Sequence, residues 1–331
     1  MVTVAVPTLE AGDVLAECLQ SLDRQTFQRF EVVVVDNSGA RKAEAGLGDG
    51  RRVIFNKRNV GFGAAVNQVF RETTAPYLAT LNDDATAEPD WLRALVDTAE
   101  SNARAGMFAS RVMLAGTDTL DSAGMLLASD GSSKQRGHGQ NPERFASAIQ
   151  SFFPSGSAAL YRRAMLEEIG LFDESYFLYC EDTDLALRAR WAGWECAYVP
   201  DAVVQHRYSH TAGGASPMKA YYVERNRCCT VVKNLPAGML LVTPFASLAR
   251  YFWHAVFLWG GVGKAGEYRK AGHDAWMLPF LVFRAHAAAA VRLPRLLKAR
   301  KQIAAQRKIT PAEFKALAKT HAISLREVAS L

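Results

Sequence analysis

The sequence predicts an α/β fold: a doubly wound, Rossmann-like mixed sheet followed by a C-terminal helical extension. Three observations carry this. Apolar runs alternate with stretches of helical spacing through the first third of the chain. The runs are continuous and β-branched, as in Phe30–Asp36 (F-E-V-V-V-V-D), which marks strands buried on both faces. Beyond Pro236 the texture changes to long apolar stretches interrupted by Pro, Arg and His. Strand–helix alternation of the first kind builds a largely parallel sheet.

Taken in order, Thr3–Pro7 reads as a strand, Val14–Leu22 as a helix and Phe30–Asp36 as a strand ending in a carboxylate. Arg52–Phe55 is a third strand, Gly63–Arg71 a helix, and Tyr77–Leu81 a strand that ends at Asn82-Asp83-Asp84. Glu88–Ser101 has helical spacing with Pro89 near its start, and Phe108–Ala109 opens another short strand. Residues 115–150 are polar and Gly/Ser-rich and read as a loop. An apolar strand follows Pro154-Ser155-Gly156-Ser157, then short helices at Arg162–Ile169 and Asp182–Ala192. Cys196–Val199 and Ala202–Gln205 read as two strands around Pro200, and Ser216–Asn234 as a long helix. Ala237–Gly261 and Trp276–Leu297 are apolar but broken by Pro and Arg, so neither reads as a membrane-spanning helix. Lys298–Lys308 is a basic helical stretch, and Thr310-Pro311-Ala312-Glu313 is a capping box that starts a last helix. The expected division is a catalytic domain over 1–235, with halves of about 1–110 and 111–235, and an extension over 236–331.

Of 331 residues, 49% are hydrophobic and 22% charged, ordinary values for a chain with a real core. The five cysteines form no C-x-x-C pair, and their odd count argues against a full disulfide framework, so a reducing cytosolic setting fits best. The first residues lack the basic segment of a secretory signal. The net charge of +6 is uneven: residues 240–331 hold 15 Lys/Arg against 4 Asp/Glu. A basic tail on an otherwise mildly acidic body points to an anionic surface as partner.

Three constellations carry chemistry. The stretch 172–194 (F-D-E-S-Y-F-L-Y-C-E-D-T-D-L-A-L-R-A-R-W-A-G-W) places Glu181, Asp182 and Asp184 in the first turn of a helix, where the dipole favours carboxylates. The plain alternative is a well-capped, solvated helix start. Asn82-Asp83-Asp84 at a strand end can hold a hard divalent cation that clamps a diphosphate, or simply cap the next element. The segment Asn56–Asn67 (N-K-R-N-V-G-F-G-A-A-V-N) has glycines at a turn entering a helix, where backbone N–H groups can approach an anion; it lacks the G-K-[ST] of a P-loop.

With these residues in view, the sequence resembles glycosyltransferase family 2, in its rhamnosyltransferase-like, GT-A-fold branch. The matching stretches are V-A-V-P-T-L, V-V-V-V-D-N-S, N-V-G-F-G-A-A-V-N, L-N-D-D-A, G-S-A-A-L-Y-R-R, the 172–194 segment, P-D-A-V-V-Q-H and Y-Y-V-E-R-N-R, in the family's order from residue 2 to about 230. The resemblance implies that Thr8, Glu10, Asp36, Asn59, Gly61, Asn82 and Asp83 line the nucleotide-sugar pocket. It implies that Asp84 and His206 bind a divalent metal, Mg²⁺ or Mn²⁺. It implies that Asp182 is the general base, with Glu181 and Asp184 shaping the acceptor side. Trp191 and Trp194 are core residues or stack on a sugar, and the group Arg225-Asn226-Arg227 is a solvated helix face or holds an acceptor phosphate through Arg225 and Arg227. The reaction implied is a single inverting displacement at the anomeric carbon. The absence of a Q-x-x-R-W motif favours transfer of one sugar over polymer synthesis.

The donor expected from the resemblance is a nucleotide diphosphate sugar, first of all dTDP-rhamnose. The acceptor expected is a hydroxyl of a glycan or polyprenyl-linked glycan in cell-envelope polysaccharide synthesis. The basic, Trp/Phe-rich tail suits peripheral attachment to the inner face of the cell membrane; packing on the catalytic domain or against a second copy is the alternative. Nucleic acid is not an expected partner. The competing classes are a nucleotidyltransferase acting on a sugar phosphate, which would release pyrophosphate, and a non-catalytic sugar-binding relative. V-P-T-L-E-A-G is a poor nucleotidyltransferase signature, and the intact Asp84, Asp182 and His206 speak against a binding-only role.

Overall fold

A computed structural model describes residues 1–46, 51–207 and 215–331. They form two compact units. The first comprises Met1–Met125, Gln135–Phe177 and Trp194–Thr211; the second comprises Leu126–Lys134, Leu178–Gly193 and Ala212–Leu331.

The first unit begins with β1 (Val2–Thr8), α1 (Gly12–Asp23), β2 (Phe30–Asp36), β3 (Arg52–Phe55), α2 (Phe62–Glu72) and β4 (Tyr77–Leu81). It continues with β5 (Ala85–Ala87), α3 (Trp91–Ser101), β6 (Ala105–Leu114) and β7 (Leu120–Ser122). β8 (Met125–Leu127) and β9 (Ser133–Gln135) are the ribbon through which the chain passes into the second unit and back. β10 (Ile149–Gln150), β11 (Ala158–Arg162) and α4 (Arg163–Ile169) complete this stretch; α5 (Glu181–Trp191) belongs to the second unit, and β12 (Glu195–His206) returns to the first.

The main path of the sheet runs β10-β12-β6-β11-β4-β1-β2-β3, with β5 beside β12 and β7 beside β6. β1 lies parallel to β2 and β4, with Val6 opposite Val34 and Val4 opposite Ala79. β11 runs antiparallel between β4 and β6, which makes the sheet mixed. The β-branched residues of the central strands are buried because helices cover both faces; Val2, Val4, Val6, Val34, Leu81, Leu92, Leu95 and Leu160 belong to one core around Trp91. Thr8 and Asp36 are opposite each other at the carboxyl ends of β1 and β2, and Asn82–Asp84 follow β4 at the same edge. Ligands of open α/β sheets bind beyond this edge.

Three element boundaries differ from the sequence reading. Cys196–Gln205 is one strand, not two: Pro200 cannot donate to the ladder, and the register with β6 slips between Val199 and Val203 while the strand continues. The helix after β5 starts at Trp91, leaving Pro89 outside it. Residues 115–150 hold the short strands β7 to β10, too brief to show a period.

The second unit is helical: α5, α6 (Pro217–Asn234), α7 (Ala237–Trp259), α8 (Gly263–Lys270), α9 (Met277–Val291), α10 (Leu293–Gln306), α11 (Pro311–Thr320) and α12 (Leu325–Ser330). α7 runs through Pro244 without ending. The apolar stretch 276–297 divides at Arg292, and Pro294 falls in the first turn of α10, where its missing N–H costs nothing. The capping box of α11 forms as Thr310 and Glu313 exchange hydrogen bonds, and Ser324 and Glu327 repeat it at α12. Among the described residues no helix is long and apolar enough to cross a membrane.

Candidate active site

In the first unit, the Thr8 hydroxyl donates to Asp83 Oδ2 at 2.6 Å and accepts from the Ala11 amide at 3.1 Å. Burial pushes the Asp83 carboxyl up to about 6; the Thr8 hydrogen bond works against this and the neighbouring Asp84 charge adds to it. Asp36 is buried, and its two oxygens accept from the amides of Ser38 and Ala43, so it shapes the loop after β2. Glu10 is exposed and paired with Lys42 at 2.5 Å. Exposed Asn59 accepts from the Gly61 amide at 2.9 Å.

Gly61 has a reason for being glycine that the motif alone did not disclose. Its φ is +88°, and a Cβ there would stand 2.1 Å from the Phe177 carbonyl oxygen. The next amide, of Phe62, donates to that same carbonyl. Asn67 closes the other end of the motif: its side chain bonds both the N–H and the C=O of Phe172. The glycine–asparagine pattern thus fastens α2 to the chain at 172–177.

The Asp84–His206 pair is assembled by strand register. β12 runs antiparallel to β5 with His206 opposite Ala85, which sets Asp84 beside the imidazole; the Arg207 amide donates to the Asp84 carbonyl. His206 Nε2 lies 3.2 Å from Asp84 Oδ1 and 3.4 Å from the Asn82 side-chain nitrogen. His206 Nδ1 lies 2.8 Å from Asp121 Oδ2, and the other Asp121 oxygen is 3.1 Å from His138 Nδ1. Asp121 was not singled out in the sequence. Burial disfavours the imidazolium, yet the two flanking carboxylates outweigh it and hold His206 up to about 9.

This donor set fits a divalent cation. Asp84 Oδ1 is buried without a hydrogen bond, 3.2 Å from His206 Nε2, with which it forms an ion pair when the ring is protonated. A carboxylate oxygen facing an imidazole nitrogen, with the second nitrogen tied to another carboxylate, is the arrangement by which proteins orient metal-bound histidines.

In the second unit, Glu181, Asp182 and Asp184 occupy the first turn of α5, and their environments differ sharply. Glu181 is buried, its Oε2 has no hydrogen bond, and burial with the adjacent Asp182 charge pushes its carboxyl up to about 8. Asp182 is half-buried, with Oδ1 accepting from the Thr183 amide at 2.6 Å. Asp184 is fully buried and bonded to Arg188 (3.0 Å), Lys233 (2.9 Å) and Asn234 (2.8 Å). Burial opposes its charge, but these partners hold the carboxyl down to about 2.

The segment entering α5 is strained: Tyr179 and Cys180 are non-glycine residues with φ of 69° and 64°. Asn226 of α6 holds it, donating to the carbonyls of Leu178 (2.8 Å) and Tyr179 (2.7 Å). Its two arginine neighbours are engaged within the second unit. Arg225 donates to Asn226 and lies over the Tyr222 ring; buried Arg227 pairs with Glu224 and Asp130. Trp191 is a packing residue, stacked on Phe314 at 4.4 Å with its N–H given to the Asn234 carbonyl. Trp194, in the first unit, donates to Glu168 at 3.1 Å.

A family profile described as "Glycosyl transferase family 2" matches residues 3–170. The N-acetylglucosaminyl-diphospho-decaprenol L-rhamnosyltransferase of Mycobacterium tuberculosis is 29% identical over 236 residues, covering 63% of this chain and 77% of its own. The O-antigen chain rhamnosyltransferase of Salmonella typhimurium is 25% identical over 227 residues, covering 63% and 67%. Among solved structures, a mannosyltransferase from Pyrobaculum calidifontis in complex with GDP-Man and Mn²⁺ superposes with a TM-score of 0.52. The match covers 99% of this chain and 85% of that one at 17% identity, a likeness of fold.

Proposed function

Because the chain belongs to glycosyltransferase family 2 and has the GT-A fold, we propose that it is an inverting, metal-dependent enzyme that transfers one sugar from a nucleotide diphosphate to a lipid-linked glycan. Rhamnose from dTDP-rhamnose is the donor sugar put first, because both rhamnosyltransferases above are similar over 63% of this chain. The acceptor reading follows the lipid diphosphate named for the mycobacterial relative. The reading places the enzyme at the cytoplasmic face of an anionic membrane.

One observation carries the proposal: Asp84 Oδ1, buried without a hydrogen bond, faces a histidine whose other nitrogen is held by Asp121. Asp84 and His206 are the residues that would hold Mg²⁺ or Mn²⁺. The bound cation would offset the charge of the departing diphosphate. Thr8, Asp36, Asn59, Asn82 and Asp83, at or near the carboxyl ends of β1 to β4, frame the donor. Asp182 accepts the proton of the acceptor hydroxyl as its oxygen attacks the anomeric carbon. The carbon–oxygen bond to the phosphate breaks on the opposite face, and the nucleoside diphosphate leaves with its electron pair. A protonated Glu181 beside Asp182 adds no second negative charge there. Asp184, Trp191 and Arg227 support this turn from within, since their polar groups or ring faces are already engaged.

The test is transfer by purified protein from a panel of nucleotide sugars with and without Mn²⁺, to a polyprenyl-diphosphate N-acetylglucosamine acceptor. Asp182→Asn is expected to bind donor and lose transfer; Asp84→Ala is expected to lose the response to metal. Full transfer by Asp182→Asn would remove it as the base, and release of pyrophosphate would make the chain a nucleotidyltransferase.

A further inference from the structure

Helix α7 is inverted in polarity. Beyond its first turn its exposed positions are Leu241, Val242, Pro244, Phe245, Leu248, Ala249, Phe252, Ala255, Val256 and Trp259, all apolar. Leu241 is 77%, Phe245 74% and Trp259 91% exposed. The residues at 241, 245, 248, 252, 256 and 259 recur every three or four positions, so they form one stripe along the helix. The polar residues point the other way. Thr243 and Ser247 are buried, and Arg250 is buried between Asp130 Oδ2 (2.5 Å) and Glu224 Oε2 (2.7 Å). A helix facing water would show the opposite pattern.

The buried ion pairs fix this orientation. Rolling α7 to hide its apolar stripe would strip Arg250 from two carboxylates, leaving its own charge unpaired and Arg227 alone against two buried acids. The outward stripe is therefore a built feature of the second unit. α9 shows the same character where Trp276, at its N-cap, and Phe280, Phe283 and Val291 are exposed.

We propose that the exposed stripe of α7 is a monotopic lipid-docking surface, seated in the acyl boundary of an anionic bilayer. Two observations select lipid over a second copy of the chain. Residues 237–306 hold 10 Lys/Arg against 2 Asp/Glu, so two copies apposed here would bring together like charges, whereas an anionic leaflet is complementary. Two exposed tryptophans, Trp259 at the end of α7 and Trp276 before α9, are the residue type favoured at the water–lipid boundary. At 23 residues α7 is about 34 Å long, and lying flat it offers this whole length to the surface. The sequence suggested attachment through a basic, Trp/Phe-rich tail; the exposed stripe assigns the main contact to apolar insertion of α7, with charge secondary. This deepens the functional reading, on which it rests for a membrane-borne acceptor.

The experiment is co-sedimentation of the full chain with vesicles of phosphatidylcholine containing phosphatidylglycerol, with no donor or acceptor present, alongside light scattering without vesicles. The parent is expected to sediment with the vesicles and to stay bound in high salt. The double variant Phe245→Glu/Phe252→Glu is expected to lose at least about tenfold in partitioning. Its transfer to a water-soluble acceptor is expected to match the parent, which shows that it is folded. A parent that stays in the supernatant, or a variant that binds equally, overturns the proposal. So does a parent dimer that the variant splits. Because binding is read without substrates, an error in the assigned reaction leaves this result unaffected.

Discussion

Glu181 and Asp184 stand one helical turn apart in α5, both buried, and their carboxyls are displaced in opposite directions. Glu181 is pushed up to about 8 by burial and by Asp182, while Asp184 is held at about 2, against burial, by Lys233 and Arg188. One is a buried acid with an unbonded oxygen and the other the hub of an ion-pair cluster. A shift between folded and unfolded pKa is a pH-dependent stability.

For Glu181 the folded value lies above the ordinary one of 4.5. Its contribution is fully present below pH 4.5 and is lost as pH rises towards 8. Glu181→Gln removes the titration. The variant is expected to melt with the parent near pH 4.5 and to be the more stable above pH 8, by up to about 5 kcal/mol. Thermal denaturation across this range measures it. Equal melting curves at both ends would mean that Glu181 is not protonated in the folded state.

For Asp184 the sign reverses. Its folded value lies below the ordinary 3.8, so its stabilisation is present above pH 3.8 and lost as pH falls through about 2. Asp184→Asn leaves Lys233 and Arg188 buried without their counter-charge. At pH 7 the loss is expected to be about 3–5 kcal/mol, the cost of breaking a buried pair from one side. Urea denaturation at pH 7 and pH 3 checks both size and direction: the gap between parent and variant narrows at the lower pH.

Asp121 holds His206 Nδ1 at 2.8 Å and is itself 2% exposed. Asp121→Asn keeps the shape but removes the negative charge that fixes the ring and its tautomer. Removing such a partner typically weakens metal binding about 10–100-fold. Mn²⁺ titration followed by calorimetry is the measurement, with metal-free nucleotide binding expected to stay within about twofold of the parent. Unchanged Mn²⁺ affinity would separate Asp121 from the metal site.

These residues also mark what the letters disclosed and what they did not. The strand–helix alternation of residues 2–101 was legible because buried parallel strands write themselves as β-branched runs, and Asp84 and His206 were legible through their motifs. Asp121 was not, because it lies in a three-residue strand without a period and reaches His206 only through the pairing of β7 with β6. Glu181, Asp182 and Asp184 read as one acidic cluster, since a sequence shows charge but not burial. Gly61 read as a glycine that admits an anion; its close contact is the carbonyl of Phe177, 116 positions away in the chain. Pro200 read as a break between strands, although a register slip lets β12 pass through it.

Asn226 read in the sequence only as the middle of the Arg225-Asn226-Arg227 group, and in the structure its side chain holds the entry to α5. Its side-chain nitrogen bonds the carbonyls of Leu178 and Tyr179, next to two non-glycine residues in the left-handed region. Such conformations persist only where surrounding contacts impose them, and each costs on the order of 1–3 kcal/mol. Asn226→Ala removes both bonds, so the segment before Glu181 and Asp182 is expected to relax. Asn226→Asp is expected to be worse, because a carboxylate would face two carbonyl oxygens with nothing to donate. Hydrogen exchange should rise at residues 178–184 in both variants. Turnover should fall by about tenfold or more for Asn226→Ala while the donor KM changes little, the pattern of a residue that positions the turn proposed to carry the base. If exchange rises but turnover holds, the left-handed pair is a structural feature of the loop and has no part in placing Asp182.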